Sequence, residues 1–311
     1  MRAALGETPS RLLIYLYVAI RHRPDIIGGF HLLINGLQAM VLARFLGRTS
    51  LYINGGGPRE TLGGGYLGNE TFGMLGKPDD ALERKLLKAV NQIDIVVTMG
   101  KKVIEYLKNG GATGPRFEVV PGGIDGSLYE YRDTEKKYDL ITVGQMGYVK
   151  RFDVLLESIK EASEKIPSIA LAIVGDGELE EELKDQAARL GISENVSFPG
   201  FQTDVASWLR QSRVFVLTSD SEGLSLALME AMMCGLPAIV SDVGELRELV
   251  EHDINGFLVE RRQPSEFAQR FVELLENKPK LDAFSHAATQ TASRCEIGHI
   301  VEKWNAIFGA T

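Results

Sequence analysis

An α/β protein built on two doubly wound parallel sheets is the fold class predicted here, and three observations predict it. Strands and helices alternate throughout the chain, which calls for parallel strands joined by helical crossovers. The second half alone carries six strand runs, enough for a complete domain. A chain of 311 residues with 44% hydrophobic content is also long enough to bury two cores rather than one. In chain order, Leu12–Ile20 is an apolar helix flanked by Arg11 and by Arg21, His22 and Arg23. Its nine residues cannot cross a bilayer, so a buried helix is expected rather than a helix lying at a membrane interface. Strands follow near Pro24–Phe30, Ser50–Ile53, Ile93–Thr98 and Phe117–Pro121, with a helix over Leu32–Phe45 that is apolar over most of its surface. Two glycine clusters, Gly55–Gly57 and Gly63–Gly65, lie in a long loop of this half, and such loops are usually functional or disordered. The second half gives strands near Asp139–Val143, Ile169–Val174, Val196–Phe198, Val214–Leu217, Ala238–Ser241 and Phe257–Val259.

The stretch Val214–Asp242, VFVLTSDSEGLSLALMEAMMCGLPAIVSD, is the most informative. It reads as a strand, a polar turn, a helix from about Leu224, a Gly-Leu-Pro stop and another strand. A strand, turn and helix in that order bring free N–H groups and a positive helix end to the mouth of a parallel sheet, where a phosphate can sit. Glu222 precedes the helix and Glu230 lies about two turns inside it, so helical rise would separate them by roughly 12 Å. That is about the span of a nucleotide diphosphate-sugar from ribose to hexose. The plainer reading makes Glu222 a carboxylate favoured by the helix dipole and Glu230 a solvated residue. Against it, Glu230 stands among Leu226, Leu228, Met229, Met232 and Met233, where an unpaired carboxylate is costly to bury.

These residues carry a resemblance. E-x7-E, followed by E-A-M-x-x-G-x-P and a strand ending in S-D, resembles the donor-site signature of the retaining GT-B glycosyltransferases (glycosyltransferase family 4, glycosyl transferases group 1). VVPGGID (Val119–Asp125) is similar to the family's interdomain sequence, and ITVGQMGYVKRFDVLLESI (Ile141–Ile159) to the opening of its donor domain. LAIVGDG, VSFPGF and DINGFLVE continue the pattern in order. In the first half the resemblance begins partway through the domain, at RPDIIGGFHLLING, which makes the N-terminal Rossmann-like domain look incomplete. The expected division is a short acceptor-side domain over 1–123, a nucleotide-sugar donor domain over 124–294, and a final helix in 295–311 returning to the first domain.

The resemblance also implies a site. Glu222 would hold the sugar hydroxyls and Glu230 the ribose. Lys150 matches the family's diphosphate-binding lysine, while Gln145 stands where the family has an arginine and Arg151 is the candidate substitute. Positive charge is the wrong sign for a helix start, which argues for function at Lys150 and Arg151. Gly144, Gly200 and Phe201 would lie on the donor, although Phe201 reads almost as well as core. Gly223, Leu224 and Ser225 would present the helix end to the leaving diphosphate. Gly175 and Gly177 read as a tight turn, since the acidic run after them would repel an anion. His31, Asn54, Gly55 and Gly56 are acceptor-side candidates; the family often has a histidine where this chain has Asn54.

The implied activity is transfer of a hexosyl or related sugar from a UDP-, GDP- or ADP-sugar to a hydroxyl acceptor, with retention, in cell-surface polysaccharide or glycolipid synthesis. No cofactor and no metal are expected. Asp220, Ser221 and Glu222 open a helix without a second ligand cluster, and His22, His252, His286 and His299 lack ligand spacing. A formal net charge of −8 argues against a nucleic-acid partner. Cys234 and Cys295, far apart, fit a reduced cytoplasmic protein, with peripheral contact at the inner membrane face as an added expectation. The competing reading is a non-catalytic nucleotide-sugar module, or one subunit of a split enzyme. Its short first half would then self-associate or be completed by a partner chain.

Overall fold

The computed structural model describes residues 7–61, 77–260 and 263–309, so Gly63–Gly65 lie outside the described residues. The chain divides into two compact units, Met1–Pro121 with Lys303–Thr311, and Gly122–Glu302.

In the first unit, β1 (Ile26–Phe30), β2 (Thr49–Asn54), β3 (Ile95–Thr98) and β4 (Arg116–Val119) form a parallel sheet in chain order. Its helices are α1 (Glu7–His22), α2 (Leu37–Leu46), α3 (Asp80–Val90) and α4 (Lys101–Asn109). Tyr52, Val96, Leu86, Val90 and Leu107 are buried on one another in a core typical of strands covered on both faces. Two expectations fail here. The helix expected over Leu32–Phe45 is broken, because Leu33 has extended dihedrals (φ −96°, ψ 118°) inside a short wide turn, Leu32–Gly36, and the regular helix begins only at Leu37. Nor is α1 buried. Leu12, Tyr15, Leu16 and Ala19 pack toward Ile27, Ala39 and Leu42, but Leu13, Ile14, Tyr17, Val18 and Ile20 are exposed, Tyr17 at 69%. A helix apolar all round has more apolar surface than one neighbouring layer can cover. No helix among the described residues is long and apolar enough to cross a membrane.

The second unit holds β5 (Tyr138–Val143), β6 (Leu171–Val174), β7 (Val196–Gly200), β8 (Ser212–Leu217), β9 (Ala238–Ser241) and β10 (Gly256–Val259), all parallel in the order β10-β9-β8-β5-β6-β7. Helices α5 (Gly126–Tyr129), α6 (Phe152–Ser163), α7 (Glu180–Leu190), α8 (Val205–Arg210), α9 (Leu226–Met233), α10 (Pro264–Glu276) and α11 (Lys278–Ala292) connect and follow them, and α12 (Ile297–Phe308) begins in this unit and ends among residues counted with the first. Continuous apolar strands such as LAIV and AIVS are buried at every position, and Leu155, Ile159, Phe267 and Phe271 close over them. The strand order reverses between β5 and β8, and in open α/β sheets a ligand crevice forms beyond the carboxyl ends at such a reversal.

Candidate functional site

The loops that leave β5 and β8 meet at that reversal, and they carry Lys150 and Glu222. Lys150 Nζ donates to Glu222 Oε1 at 2.8 Å, across 72 residues of sequence. The lysine side chain is 24% exposed and the carboxylate 10%. Lys150 is therefore not a solvated lysine at a helix start. Ser219 Oγ donates to the same Oε1 at 2.5 Å, so both donors fix one oxygen of Glu222.

Backbone packing sets this geometry. Thr218 Oγ1 donates to the carbonyls of Lys150 (3.0 Å) and Arg151 (2.9 Å), and Asp220 N donates to the Val149 carbonyl at 2.9 Å, which stitches the two loops together. Gly144 lies beside Lys150, since a Cβ there would sit 3.4 Å from Lys150 Cε. Gly175 touches Gly144 in turn, and a Cβ on it would come within 2.1 Å of the Gly144 carbonyl oxygen. The Gly175–Gly177 turn thus supports the β5 loop through its backbone, and its tight-turn reading stands. Gly244, after β9, has φ +54°, and a Cβ there would fall 1.7 Å from the Glu222 carbonyl oxygen. Only glycine meets both demands.

Arg151 differs from Lys150. It caps α6 with φ 50°, ψ 44°, and its guanidinium donates to Asp153 at 3.0 Å and, at 3.4 Å, to Asp220. The hydrogen bonds to Asp153, ahead of the attraction of Asp220, hold its pKa above the ordinary value. Its charge is matched by two carboxylates, and it braces the turn. Gln145 is exposed on the loop between Gly144 and Met146.

Helix α9 starts two residues later than expected. Ser225 is its N-cap, accepting from Leu228 N at 3.3 Å, and Gly223 and Leu224 lie in the irregular approach. Glu230 is consequently little more than one turn inside, and helical rise applies only from Leu226 onward. Helical rise therefore cannot set the Glu222 to Glu230 separation, because half of that interval is not helical. Glu230 is half-buried and accepts from the Tyr129 hydroxyl of α5, so it is not a solvated face residue. Burial pushes the Glu230 pKa up, opposed by that hydrogen bond. Burial, and then the Glu230 charge, push Tyr129 up to about 12. Burial likewise pushes the neighbouring Cys234 thiol up to about 12. Gly200 (φ +74°) ends the edge strand β7, and Phe201 beyond it is 69% exposed, which removes the core reading of that side chain.

The acceptor-side candidates of the first unit also converge, on a carboxylate that sequence reasoning missed. Glu60 Oε1 accepts from His31 Nδ1 (2.8 Å), Gly55 N (2.9 Å) and Gly56 N (2.6 Å). Its Oε2 accepts from Leu32 N (2.9 Å) and Tyr52 Oη (2.7 Å). Asn54 is buried behind them and donates to Tyr52 Oη at 2.7 Å. His31 adopts φ 62°, ψ 142°, a region that costs a non-glycine residue about 1–3 kcal/mol. Among the described residues no group of three or more His, Cys, Asp or Glu side chains is arranged to hold a metal.

Comparison with known proteins defines the class. The fold is GT-B, two Rossmann-like units, as in Anabaena Alr3699/HepE in complex with UDP (TM-score 0.80, 20% identity, 99% of this chain and 84% of that one). The sequence profile of the glycosyl transferases group 1 matches residues 130–291, more than half of the chain. The chain belongs to that family. It is 35% identical over 170 residues to an uncharacterized glycosyltransferase of Haemophilus influenzae, covering 54% of this chain and 48% of that protein. It is 28% identical over 219 residues to the GtfA subunit of a UDP-N-acetylglucosamine–peptide N-acetylglucosaminyltransferase of Streptococcus agalactiae, covering 67% of this chain and 42% of that protein. The chain thus spans about half the length of the curated relatives it matches.

Proposed function

We propose that this chain is a glycosyltransferase that moves a hexosyl group from a nucleotide diphosphate-sugar to a hydroxyl acceptor with retention, without a metal, as in the building of surface glycans or glycolipids. The observation that carries the reading is the Lys150–Glu222 pair at the strand-order reversal, inside the stretch that matches the family. Lys150 and the positive end of α9 near Ser225 would stabilise the departing diphosphate as its charge develops. Glu222, fixed by Ser219 and Lys150, would accept from the sugar hydroxyls. Glu230 would accept from the ribose, with Gly144, Gly200 and the exposed ring of Phe201 toward the base. Arg151 shapes the loop and Gln145 lies at its rim.

UDP is the favoured nucleotide, because the HepE structure holds it. A thermal-shift panel of UDP-, GDP- and ADP-sugars tests the donor site: ligand at about 100 times its Kd adds roughly 2.7 kcal/mol of stability. Turnover that survives EDTA is expected, since Lys150 and the helix end do a metal's work at the diphosphate. Activity lost to chelator and restored by manganese would refute the metal-independent mechanism. The exposed apolar faces of α1 and α2, with Phe45 at 76%, favour a second reading in which the first unit functions against a partner surface. A monomer by light scattering with full turnover would exclude it.

A further inference from the structure

The carboxyl ends of β1 and β2 carry an arrangement that packing alone does not account for. Glu60 gathers three backbone N–H groups, the Tyr52 hydroxyl and one imidazole nitrogen, and its own side chain is only 9% exposed. A carboxylate already accepting from the N–H groups of Gly55 and Gly56 can only accept, so Nδ1 of His31 carries the hydrogen. In the neutral ring that leaves Nε2 with a lone pair, and the side chain is 50% exposed. Around it the backbone is over-determined. His31 N donates to the Ile53 carbonyl at 3.0 Å and its own carbonyl accepts from Gly36 N at 2.9 Å, which keeps a non-glycine residue in a sparsely populated conformation. Such strain tends to collect where a side chain must be aimed. Beside it the ring of Phe30 stands edge-on to the imidazole, centroids 4.5 Å apart, and is 47% exposed. Gly55 makes room for that ring, since a Cβ there would lie 2.5 Å from Phe30 Cζ. A surface that offers one aimed hydrogen-bond acceptor next to a half-exposed aromatic ring suits a ligand with an apolar ring face and a hydroxyl at its edge, which describes a pyranoside.

We propose that the Glu60–His31 dyad and Phe30 form the recognition point for the acceptor sugar: Glu60 fixes the imidazole so that Nε2 accepts a hydrogen bond from an acceptor hydroxyl, and Phe30 carries the ring. This deepens the proposed function and rests on it for the identification of the sugar as acceptor. His31 and Phe30 touch the ligand, and Glu60 is a positioning residue.

The test is ¹⁵N NMR of the imidazole nitrogens in the full chain, with His31 assigned by His31→Gln. The expected spectrum shows a pyrrole-like Nδ1 and a pyridine-like Nε2. Methyl glucoside, galactoside and N-acetylglucosaminide serve as probes. At least one should shift the His31 Nε2 and Phe30 ring signals, and Phe30→Ala should weaken that probe's binding tenfold or more. Glu60→Gln should release the tautomer preference. If that variant does not fold, the wild-type tautomer and the Phe30→Ala titration still decide. A His31 ring with its hydrogen on Nε2, or averaged between nitrogens, overturns the dyad. Probes that leave His31 and Phe30 unmoved overturn the recognition site. Nucleotide affinity, measured in the same samples, separates the two proposals: its absence with the dyad intact would count against the donor site and not against Glu60.

Discussion

Replacing Lys150 with alanine is the sharpest test of the proposed donor site, because the structure shows which carboxylate the lysine holds. Its ammonium already lies 2.8 Å from Glu222 Oε1, in a setting where the two side chains are 24% and 10% exposed. A hydrogen bond between charged groups at such a place contributes about 1.5–3 kcal/mol, so loss of a diphosphate contact of that kind weakens binding about 10- to 150-fold. The lower end is expected, since Lys150 also holds Glu222. Glu222→Gln separates the roles. Removing the carboxylate charge frees Lys150 for the diphosphate, so UDP should bind as well as to wild type or better, whereas UDP-glucose, which would lose an acceptor for its hydroxyls, should bind more weakly. Calorimetry of both ligands on wild type, the two single variants and the double variant completes the cycle. Groups sharing one hydrogen bond should be non-additive by about 0.5–3 kcal/mol. Wild-type UDP affinity in Lys150→Ala, or strict additivity in the double variant, would refute the assignment.

The other predictions concern single residues. Burial raises the folded-state pKa of Glu230 above its unfolded value, so its contribution to stability is best below the unfolded carboxylate range and falls as pH rises through the folded pKa. Glu230→Gln should therefore raise Tm at neutral pH and lose that gain in acid, while nucleotide affinity in wild type falls as pH drops through the raised pKa; a pH-independent affinity down to the ordinary carboxylate range would count against the ribose role. Gly244→Ala forces a Cβ toward the Glu222 carbonyl oxygen at φ +54°, and should cost at least about 1–2 kcal/mol in urea unfolding together with most of the donor affinity. Unchanged binding in that variant would show that Glu222 is not held from behind. Cys234 and Cys295 are both buried, and the Cys234 thiol is pushed up to about 12, so the folded chain should resist thiol reagents at pH 8 and react only on unfolding.

Legibility in the sequence followed the range of the interactions. The ten strands of the described residues could all be read, with ends displaced by up to two residues, because parallel strands covered on both faces are short continuous apolar runs and the helical segments between them have a different period. Lys150 and Glu222 could be named because each sits in a local strand-loop-helix pattern. That they share a hydrogen bond could not, since 72 residues separate them and only the strand order β8-β5 makes them neighbours. The start of α9 was misplaced because Leu224 is as apolar as the helix proper, and the N-cap at Ser225 outweighed that pattern. Gly244 gave no signal beyond its identity. Its role exists only through the backbone of Glu222.

Glu60 marks the other limit. The glycines before it draw attention to the loop but not to the carboxylate, whose partners Leu32, His31 and Tyr52 come from two other segments. In Arg151 the same physics works in reverse: the sequence shows a cation in the right loop, and the structure gives that cation two carboxylates of its own. Spacing and period locate the elements that can present charge at a sheet edge, whereas the partner that already holds each charge is decided by tertiary packing. The donor reading therefore rests on Lys150, whose carboxylate partner among the described residues is itself a candidate ligand for the sugar, and less on Arg151, whose partners brace its own loop.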